Sequence, residues 1–408
     1  MQPAPYRPEQ AILELGGDFY DPVRPADFPQ AILRFRNDRQ ADGDGRGFLF
    51  AQLRDGADRL LDLGTKGSGQ TPYSRFGDGR LTLKGGVREL LATEMLEALG
   101  VETSKTFSLI ETGEALERND EPSPTRAAVL VRLQHSHIRI GTFQRLATLG
   151  EDDNLRKLAA YCLRHYYADE SGDPATLLGH VTAQAARLAA SYIAAGFVHG
   201  VLNSDNIAIT AQSFDYGPWR FAPTWDGAFT AAYFDHQGLY AFARQPEAIH
   251  WDVVQLAIAL RKIAEAEPLT ERLETFPHLF QTALRDAVFA RLGLRTGELA
   301  ADMALVGALE ETLSATQAPL DRFWFDWRGG RRPAGYEGFD DLAALLARHE
   351  PVPGARDHPY WSDPAPCTML IDEVEALWAA IDEHDDWGPL HEKVAAIRRM
   401  GGAYRAMA

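Results

Sequence analysis

The hydrophobic pattern of the sequence changes near residue 150, and this change constrains the fold more than any other feature. Before it, short β-type runs surround one predicted helix, VRELLATEMLEALG, at residues 87–100. From about Asp152 onward, apolar residues recur mainly at helical spacing. A strand-rich part therefore precedes a larger helical part, which predicts an α+β protein. The β-type runs are residues 47–53, 59–63, 105–111 and 127–133, and the last two predicted helices are residues 370–382 and 388–399.

Charge and composition exclude several classes of protein. The chain has 58 acidic and 41 basic residues, a formal net charge of −17, which repels a phosphate backbone and argues against nucleic acid as a partner. No run approaches the roughly 20 apolar residues of a membrane span, and the first residues lack the apolar core of a secretory signal. We therefore expect no membrane association and a cytoplasmic location. Cys162 and Cys367 are expected to be unpaired thiols.

A glycine-rich turn, a lysine and a glutamate follow one another in the strand-rich part. Gly43, Gly45 and Arg46 belong to a Gly-Asp-Gly-Arg-Gly turn before a predicted strand, and Lys66 ends the next strand region. Glu89 follows 23 residues later on the predicted helix. This order is typical of protein kinases, where the glutamate orients the lysine toward phosphate oxygens. Taken singly, the turn could equally be an ordinary hairpin, and each charge a solvated surface residue.

The helical part supplies a second half of the kinase pattern. Residues 199–206, HGVLNSDN, have the length and the ends of the kinase loop H-R-D-L-x-x-x-N, and Asp215-Tyr216-Gly217 follows where D-F-G would stand. The oxygen atoms of Asn206 and Asp215 suit a hard cation such as Mg²⁺, or Mn²⁺. Together the two halves predict a protein-kinase-like bilobal fold. We assign residues 1–150 to the N-lobe, 151–310 to the helical C-lobe and 311–408 to an extra C-terminal helical region.

One position departs from the kinase pattern. Val201 replaces the aspartate that accepts the proton of the substrate hydroxyl in kinases. A carboxylate is nevertheless present further along the loop, because Asp205 immediately precedes Asn206. The sequence therefore disfavours ordinary phosphoryl transfer, including a phosphotransferase acting on a small molecule.

A co-linear set of segments in this chain resembles the selenoprotein O (YdiU) family of protein adenylyltransferases. The resemblance covers roughly residues 42–260 and includes the loop and the Asp-Tyr-Gly motif described above. The matching segments are residues 66–75 (KGSGQTPYSR), 78–80 (DGR), 88–89 (RE), 136–143 (SHIRIGTF), 199–206, 215–218 (DYGP) and 235–238 (DHQG).

The resemblance implies a pseudokinase fold that binds ATP in reversed orientation and transfers AMP to Ser, Thr or Tyr hydroxyls of proteins. It implies that Asp205 is the proton acceptor and that Asn206 and Asp215 bind the metal. The implied nucleotide site comprises Gly43, Gly45, Arg46, Lys66, Asp78, Gly79, Glu89, Arg132, Arg139 and Asp215.

Two alternatives to AMP transfer remain open. The same site could transfer UMP, or the protein could be an inactive nucleotide-binding scaffold, although a scaffold would not need the full set of charged residues. His137 and His199 titrate near neutrality and could act as acids or bases, but we interpret both as residues that fix loop geometry through hydrogen bonds.

Overall fold

The computed structural model describes residues 7–20, 23–37, 49–70, 79–118 and 122–406. The strands are β1 Arg7–Glu9, β2 Ile32–Arg36, β3 Leu49–Arg54, β4 Leu60–Lys66, β5 Leu81–Thr82, β6 Lys105–Leu116, β7 Thr125–Gln134, β8 Phe197–Val198 and β9 Arg220–Phe221. Each of the four β-type runs predicted from the sequence forms a strand. An antiparallel sheet forms the N-terminal part, with the strand order β1-β3-β4-β7-β6-β2 and with β5 paired to β7.

Helices dominate the chain after the sheet. The sheet followed by a helical region confirms the α+β, protein-kinase-like architecture predicted from the sequence. The described residues contain no helix long and apolar enough to cross a bilayer. The helices are α1 Leu83–Ala98, α2 Ile140–Leu149, α3 Asp152–Tyr167, α4 Pro174–Ala195, α5 Gln245–Leu260, α6 Ala266–Glu274, α7 Phe276–Leu292, α8 Leu299–Thr316, α9 Leu320–Asp326, α10 Asp340–Leu346, α11 Ile371–His384 and α12 Gly388–Arg405.

Helix α1 begins four residues earlier than the sequence pattern predicts. The Thr82 hydroxyl caps it by accepting a hydrogen bond from the backbone amide of Gly85 at 3.0 Å. Two consecutive glycines would normally weaken a helix start, but Gly86 lies directly against the sheet. A β-carbon placed there would come within 2.5 Å of the Leu109 side chain on β6. The glycine thus allows α1 to approach the sheet closely, which the apolar periodicity alone does not reveal.

Helix α4 is the centre of the helical region. Its small residues allow close packing, and Ala185, Ala186 and Ala189 are fully buried. The helix packs against α5, α6 and α7. Helix α2, by contrast, has no counterpart among the predicted elements. It is only ten residues long, IGTFQRLATL, and begins soon after β7, so its apolar pattern is too short to stand out. The helices around α4 therefore support the loop of residues 199–206, which follows α4 in the chain.

The last two helices return to the sheet and cover the outer side of α1. The predicted pair corresponds to α11 and α12, which end two and six residues later than predicted. Arg398 of α12 donates from Nε to Glu94 of α1 at 2.8 Å, and its Nη2 donates to Asn37 at 3.2 Å. Gly401 of α12 packs against Ala98 at the end of α1. The C-terminal region is therefore attached to the N-lobe helix, while the domain division at residues 150 and 310 remains a prediction.

The closeness of α12 to α1 can be tested with two neighbouring glycines. A β-carbon on Gly401 would lie 3.0 Å from the backbone Cα of Ala98, whereas one on Gly402 would meet only His358 at 4.0 Å. We expect Gly401→Ala to lower the free energy of unfolding by on the order of 1 kcal/mol, because the helices must separate. Gly402→Ala is the matched control and should raise it by up to about 1 kcal/mol through helix propensity.

Denaturant unfolding of both variants measures these changes. If Gly401→Ala is as stabilising as Gly402→Ala, the two helices are not in the close contact described here.

Candidate active site

The loop of residues 199–206, called the catalytic loop here, is held by backbone hydrogen bonds to the first residues of α2. Gly141 donates to the Ser204 carbonyl at 2.9 Å, and Ile140 donates to the Ile207 carbonyl at 3.1 Å. After the loop, the chain turns back on itself through an antiparallel bridge between Ile207 and Ser213. This register places Asn206 opposite Phe214, next to Asp215. The turn therefore brings the two sequence-predicted metal ligands to the same end of the hairpin.

The side chain of Asn206 is oriented by the catalytic loop itself. Its Nδ2 donates to the carbonyl of Val201 at 2.9 Å, and its backbone amide donates to the Asn203 carbonyl at 2.8 Å. Because the amide nitrogen is engaged, Oδ1 is the atom available to a cation. An amide oxygen and the Asp215 carboxylate are hard oxygen donors, so this pair fits a Mg²⁺ or Mn²⁺ ion that keeps other ligands from water and phosphate.

Lys66 links the sheet, helix α1 and the segment that carries Asp215. Its Nζ lies 2.8 Å from Glu89 Oε2 and 2.6 Å from Asp215 Oδ1. The other oxygen of Glu89 lies 3.3 Å from Nη1 of Arg132, a residue of β7. The Glu89 side chain is only 1% exposed, so both of its oxygens need these cationic partners. The structure thus brings together the lysine and the glutamate that the sequence pairs.

Two arginines complete a cluster of positive charge around Asp215. The guanidinium groups of Arg132 and Arg139 both lie over the ring of Phe214, at 5.2 and 5.1 Å from its centroid. Arg132 also approaches Asp215 Oδ1 to 3.8 Å. With Lys66, these residues bring three positive charges against the two negative charges of Glu89 and Asp215. The cluster keeps an excess of one positive charge in a chain whose net charge is −17.

The charges of Lys66 and Asp215 stabilise each other despite burial. Burial by itself would raise the pKa of Asp215, but Lys66, Arg132 and Arg139 hold that pKa well below its usual range. Burial would likewise lower the pKa of Lys66, but Asp215 and Glu89 raise it above its usual value. Both groups are therefore ionised at neutral pH. Asp215 also has a φ of 65°, a left-handed conformation that is rare for a residue with a side chain and is found at functional sites.

The two histidines lie in structural positions. The Nε2 atom of His199 is 2.9 Å from the Phe214 carbonyl, and its backbone amide donates to Gln245 at 3.0 Å. Burial lowers the pKa of His199, so the neutral ring can donate to that carbonyl and hold the segment before Asp215. The backbone amide of His137 donates to Asp62 at 2.7 Å, and burial lowers the pKa of its ring as well. Both contacts agree with a role in fixing loop geometry.

Several predicted nucleotide contacts come from the glycine-rich turn and from the segment before Gly79. Gly43, Gly45, Arg46 and Asp78 lie outside the described residues. Gly79 is described and has a φ of 83°. A β-carbon there would overlap the carbonyl oxygen of Gly69 and lie 2.7 Å from its carbonyl carbon, so only glycine fits. At this position only the backbone is available to a ligand.

Asp205 is exposed in the catalytic loop, and a second carboxyl group that sequence reasoning missed, that of Asp252, lies close enough for the two to interact electrostatically. The backbone amide of Asp205 donates to Asn203 Oδ1 at 3.0 Å. Asp252 of α5 is fully buried, and within the described part of the chain neither of its carboxyl oxygens has a hydrogen-bond partner. Burial, and then the negative charge of Asp205, raise the pKa of Asp252 to about 8. An aspartate inside the apolar run WDVVQLAIAL was the signal for it in the sequence.

Comparisons with known proteins agree over most of the chain. Residues 39–334 match the family described as "Protein adenylyltransferase SelO". A "Protein nucleotidyltransferase YdiU" from Synechocystis is 36% identical over 469 aligned positions, which cover 96% of this chain and 97% of the relative. Proteins of the same description are 39% identical in Gloeobacter violaceus, over 96% of this chain and 95% of the relative, and 40% identical in Synechococcus elongatus, over 97% and 95%.

The similarity extends further along the chain than the motifs indicate. The motifs span roughly residues 42–260, whereas the family match continues to residue 334 and the relatives align almost end to end. Among solved structures, a rhoptry antigen kinase domain from Toxoplasma gondii matches with a TM-score of 0.32 and 12% identity, covering 63% of this chain and 78% of that one.

The lowered pKa of Asp215 has a measurable effect on stability. Because that pKa is lower in the folded than in the unfolded protein, its contribution is fully present above the ordinary aspartate pKa of about 3.9 and is lost as the pH falls below it. We expect Asp215→Asn to be less stable than the wild type at pH 7. The difference should shrink below pH 4, by at most about 1.4 kcal/mol per pH unit.

Denaturant unfolding in metal-free buffer at several pH values measures this difference. A difference that stays constant from pH 6 to pH 3 would contradict the charge cluster.

Proposed function

The chain belongs to the SelO family of protein adenylyltransferases, and on that premise we propose that it transfers AMP from ATP to Ser, Thr or Tyr hydroxyls of proteins. In this proposal ATP lies in the site in the orientation opposite to that in kinases. The proposed reaction takes place in the cytoplasm. Proteins are the acceptors rather than nucleic acids, because a net charge of −17 repels a phosphate backbone.

The observation that carries the proposal is the excess positive charge around Asp215. Lys66, Arg132 and Arg139 converge there from β4, β7 and the start of α2. A neutral purine ring has no need of three cations, whereas the terminal phosphates of ATP carry the charge that guanidinium and ammonium groups bind well. If the cluster holds the terminal phosphates of ATP in place, the α-phosphate is the group that remains to react with the acceptor.

The residues available for chemistry support transfer at the α-phosphate. The side chain of Val201 has no proton-accepting atom, while Asp205 is exposed beside Asn206. In the proposed reaction the acceptor oxygen forms a bond to the α-phosphorus, and the bond from that phosphorus to the bridging oxygen of the β-phosphate breaks. Asp205 takes the hydroxyl proton, and pyrophosphate leaves with the bonding electrons.

A divalent cation would be held by Asn206 and Asp215 and would neutralise charge that develops on the phosphate oxygens. Lys66, Arg132 and Arg139 would hold the leaving pyrophosphate in a fixed position, where preorganised charges stabilise the transition state without rearrangement. Glu89 would keep Lys66 and Arg132 in place, since it contacts both.

The decisive test asks which phosphate moves. With Mg²⁺ present, ATP labelled at the α-phosphate should mark an acceptor protein or the enzyme itself, and ATP labelled at the γ-phosphate should not. Asp205→Asn is nearly isosteric and should retain ATP binding while losing most of the α-label transfer, on the order of 100-fold, because the proton acceptor is removed. Autoradiography of separated proteins measures transfer, and calorimetry measures ATP binding.

Transfer of the γ-label would make the protein a kinase with a relocated base and overturn the reversed orientation. Preferential transfer from α-labelled UTP would assign UMP as the group moved. Tight ATP binding with no transfer of any label would favour an inactive scaffold, and equal ATP affinity in excess EDTA would remove the metal site at Asn206 and Asp215.

The role of Lys66 gives a second test. Lys66→Ala removes the cation that contacts both Glu89 and Asp215, and we expect it to lower the rate constant of transfer on the order of 100-fold. The matched control is Lys262→Ala, because Lys262 is exposed just beyond the end of α5. That variant should stay within about twofold of the wild type. Equal rates for the two variants would remove Lys66 from the phosphate site.

A further inference from the structure

Gly141, the second residue of α2, lies directly beneath the carboxylate of Asp205. Its backbone amide donates to the carbonyl of Ser204 at 2.9 Å, which fixes the catalytic loop against the start of the helix. A β-carbon placed on Gly141 would overlap Oδ1 of Asp205 and lie 3.1 Å from its Cγ. The carboxylate therefore occupies the space that any other residue at position 141 would fill with its own side chain.

The backbone gives no reason for a glycine at this position. Gly141 has helical geometry, in which glycine is about 1 kcal/mol less favourable than alanine. Gly79 differs, because its positive φ alone favours glycine. The local structure of α2 would thus be served better by alanine, and the nearest atoms to the missing side chain are those of Asp205. The reason for the glycine lies in the position of that carboxylate.

The position against Gly141 gives the Asp205 carboxylate two favourable neighbours. The first turn of an α-helix carries a partial positive charge from its backbone amides, which attracts a carboxylate. Arg139, the residue just before α2, is also close enough to interact with both Asp205 and Asp215. A carboxylate held here therefore lies against the first turn of α2 and within reach of the positive charge of Arg139.

We propose that Gly141 is a positioning residue for the transfer reaction, because its missing side chain lets Asp205 rest on the first turn of α2 in the place where it accepts the acceptor's proton. This inference rests on the proposed function, which gives Asp205 that role. Gly141 itself touches no reacting atom and acts only through Asp205.

The variant Gly141→Ala tests the inference without endangering the fold. The atom that must move is the far end of an exposed aspartate side chain, and alanine improves helix propensity, so the thermal midpoint should be unchanged or higher. Displacing the carboxylate by about 1 Å should lower the rate constant of transfer on the order of 100-fold. The affinity for ATP with Mg²⁺ should stay within about twofold, because the phosphate contacts are untouched.

Two further measurements separate positioning from a general structural effect. Gly307→Ala is the control, since a β-carbon at this position in α8 meets no atom within 4 Å, and it should leave the rate constant unchanged. In an Asp205→Ala background the obstructing carboxylate is gone, and the nearest remaining neighbour of the new β-carbon is the Ser204 carbonyl at 3.6 Å. In that background, adding Gly141→Ala should change the residual rate and the thermal midpoint by no more than Gly307→Ala changes them in the wild type.

A crystal structure of Gly141→Ala completes the test and needs no activity. It should place the Asp205 carboxylate away from α2, and an unmoved carboxylate would overturn the inference. A full rate of transfer in Gly141→Ala, together with a large loss in Asp205→Asn, would overturn the inference and leave the proposed function standing. A full rate in Asp205→Asn would instead overturn the assigned role of Asp205 and the inference with it. Weakened ATP binding in Gly141→Ala would assign the glycine to the nucleotide site and also overturn the inference.

Discussion

The ion pairs of Lys66 are the interaction on which the rest of the site depends. One ammonium group joins β4 to α1 through Glu89 and to the segment after the catalytic loop through Asp215. Glu89 is almost completely buried, and a buried carboxylate that loses its partners is strongly destabilising, by about 3–5 kcal/mol. The three elements therefore stabilise one another in a single arrangement. Arg132 reinforces it by contacting the second oxygen of Glu89.

That arrangement requires α1 to lie at a fixed distance from the sheet and from α12. On its inner side, Gly86 allows contact with Leu109, and on its outer side Ala98 packs against Gly401. The hydrogen bond from Arg398 to Glu94 ties the same face of α1 to the C-terminal region, and Arg398 also donates to Asn37, the residue after β2. Residues more than 300 positions apart in sequence thus determine where Glu89 meets Lys66.

The sequence predicts those parts of the molecule that depend on neighbouring residues. Strand runs, the helical spacing of apolar residues in α1 and the loop between α4 and α5 are local patterns, and they predict the sheet, the helical region and the loop position that the structure shows. The early start of α1 could not be predicted, because Gly86 is explained only by its packing against Leu109 of β6, a residue distant in sequence. The burial of Asp252 and the space beneath Asp205 also depend on contacts between distant segments. The glycine-rich turn and Asp78 remain predictions.

The contact between α12 and α1 also has a consequence for biosynthesis. A ribosome adds residues at about 5–20 per second, and domains tend to fold as their residues emerge. The residues of α12 are added long after those of α1, so the growing chain must carry α1 with Ala98 and Glu94 uncovered while the helical region is made. Helix α1, which carries Glu89 to Lys66, gains its outer support only when α12 has left the exit tunnel, so the charge cluster is fully supported only after the helical region has been made.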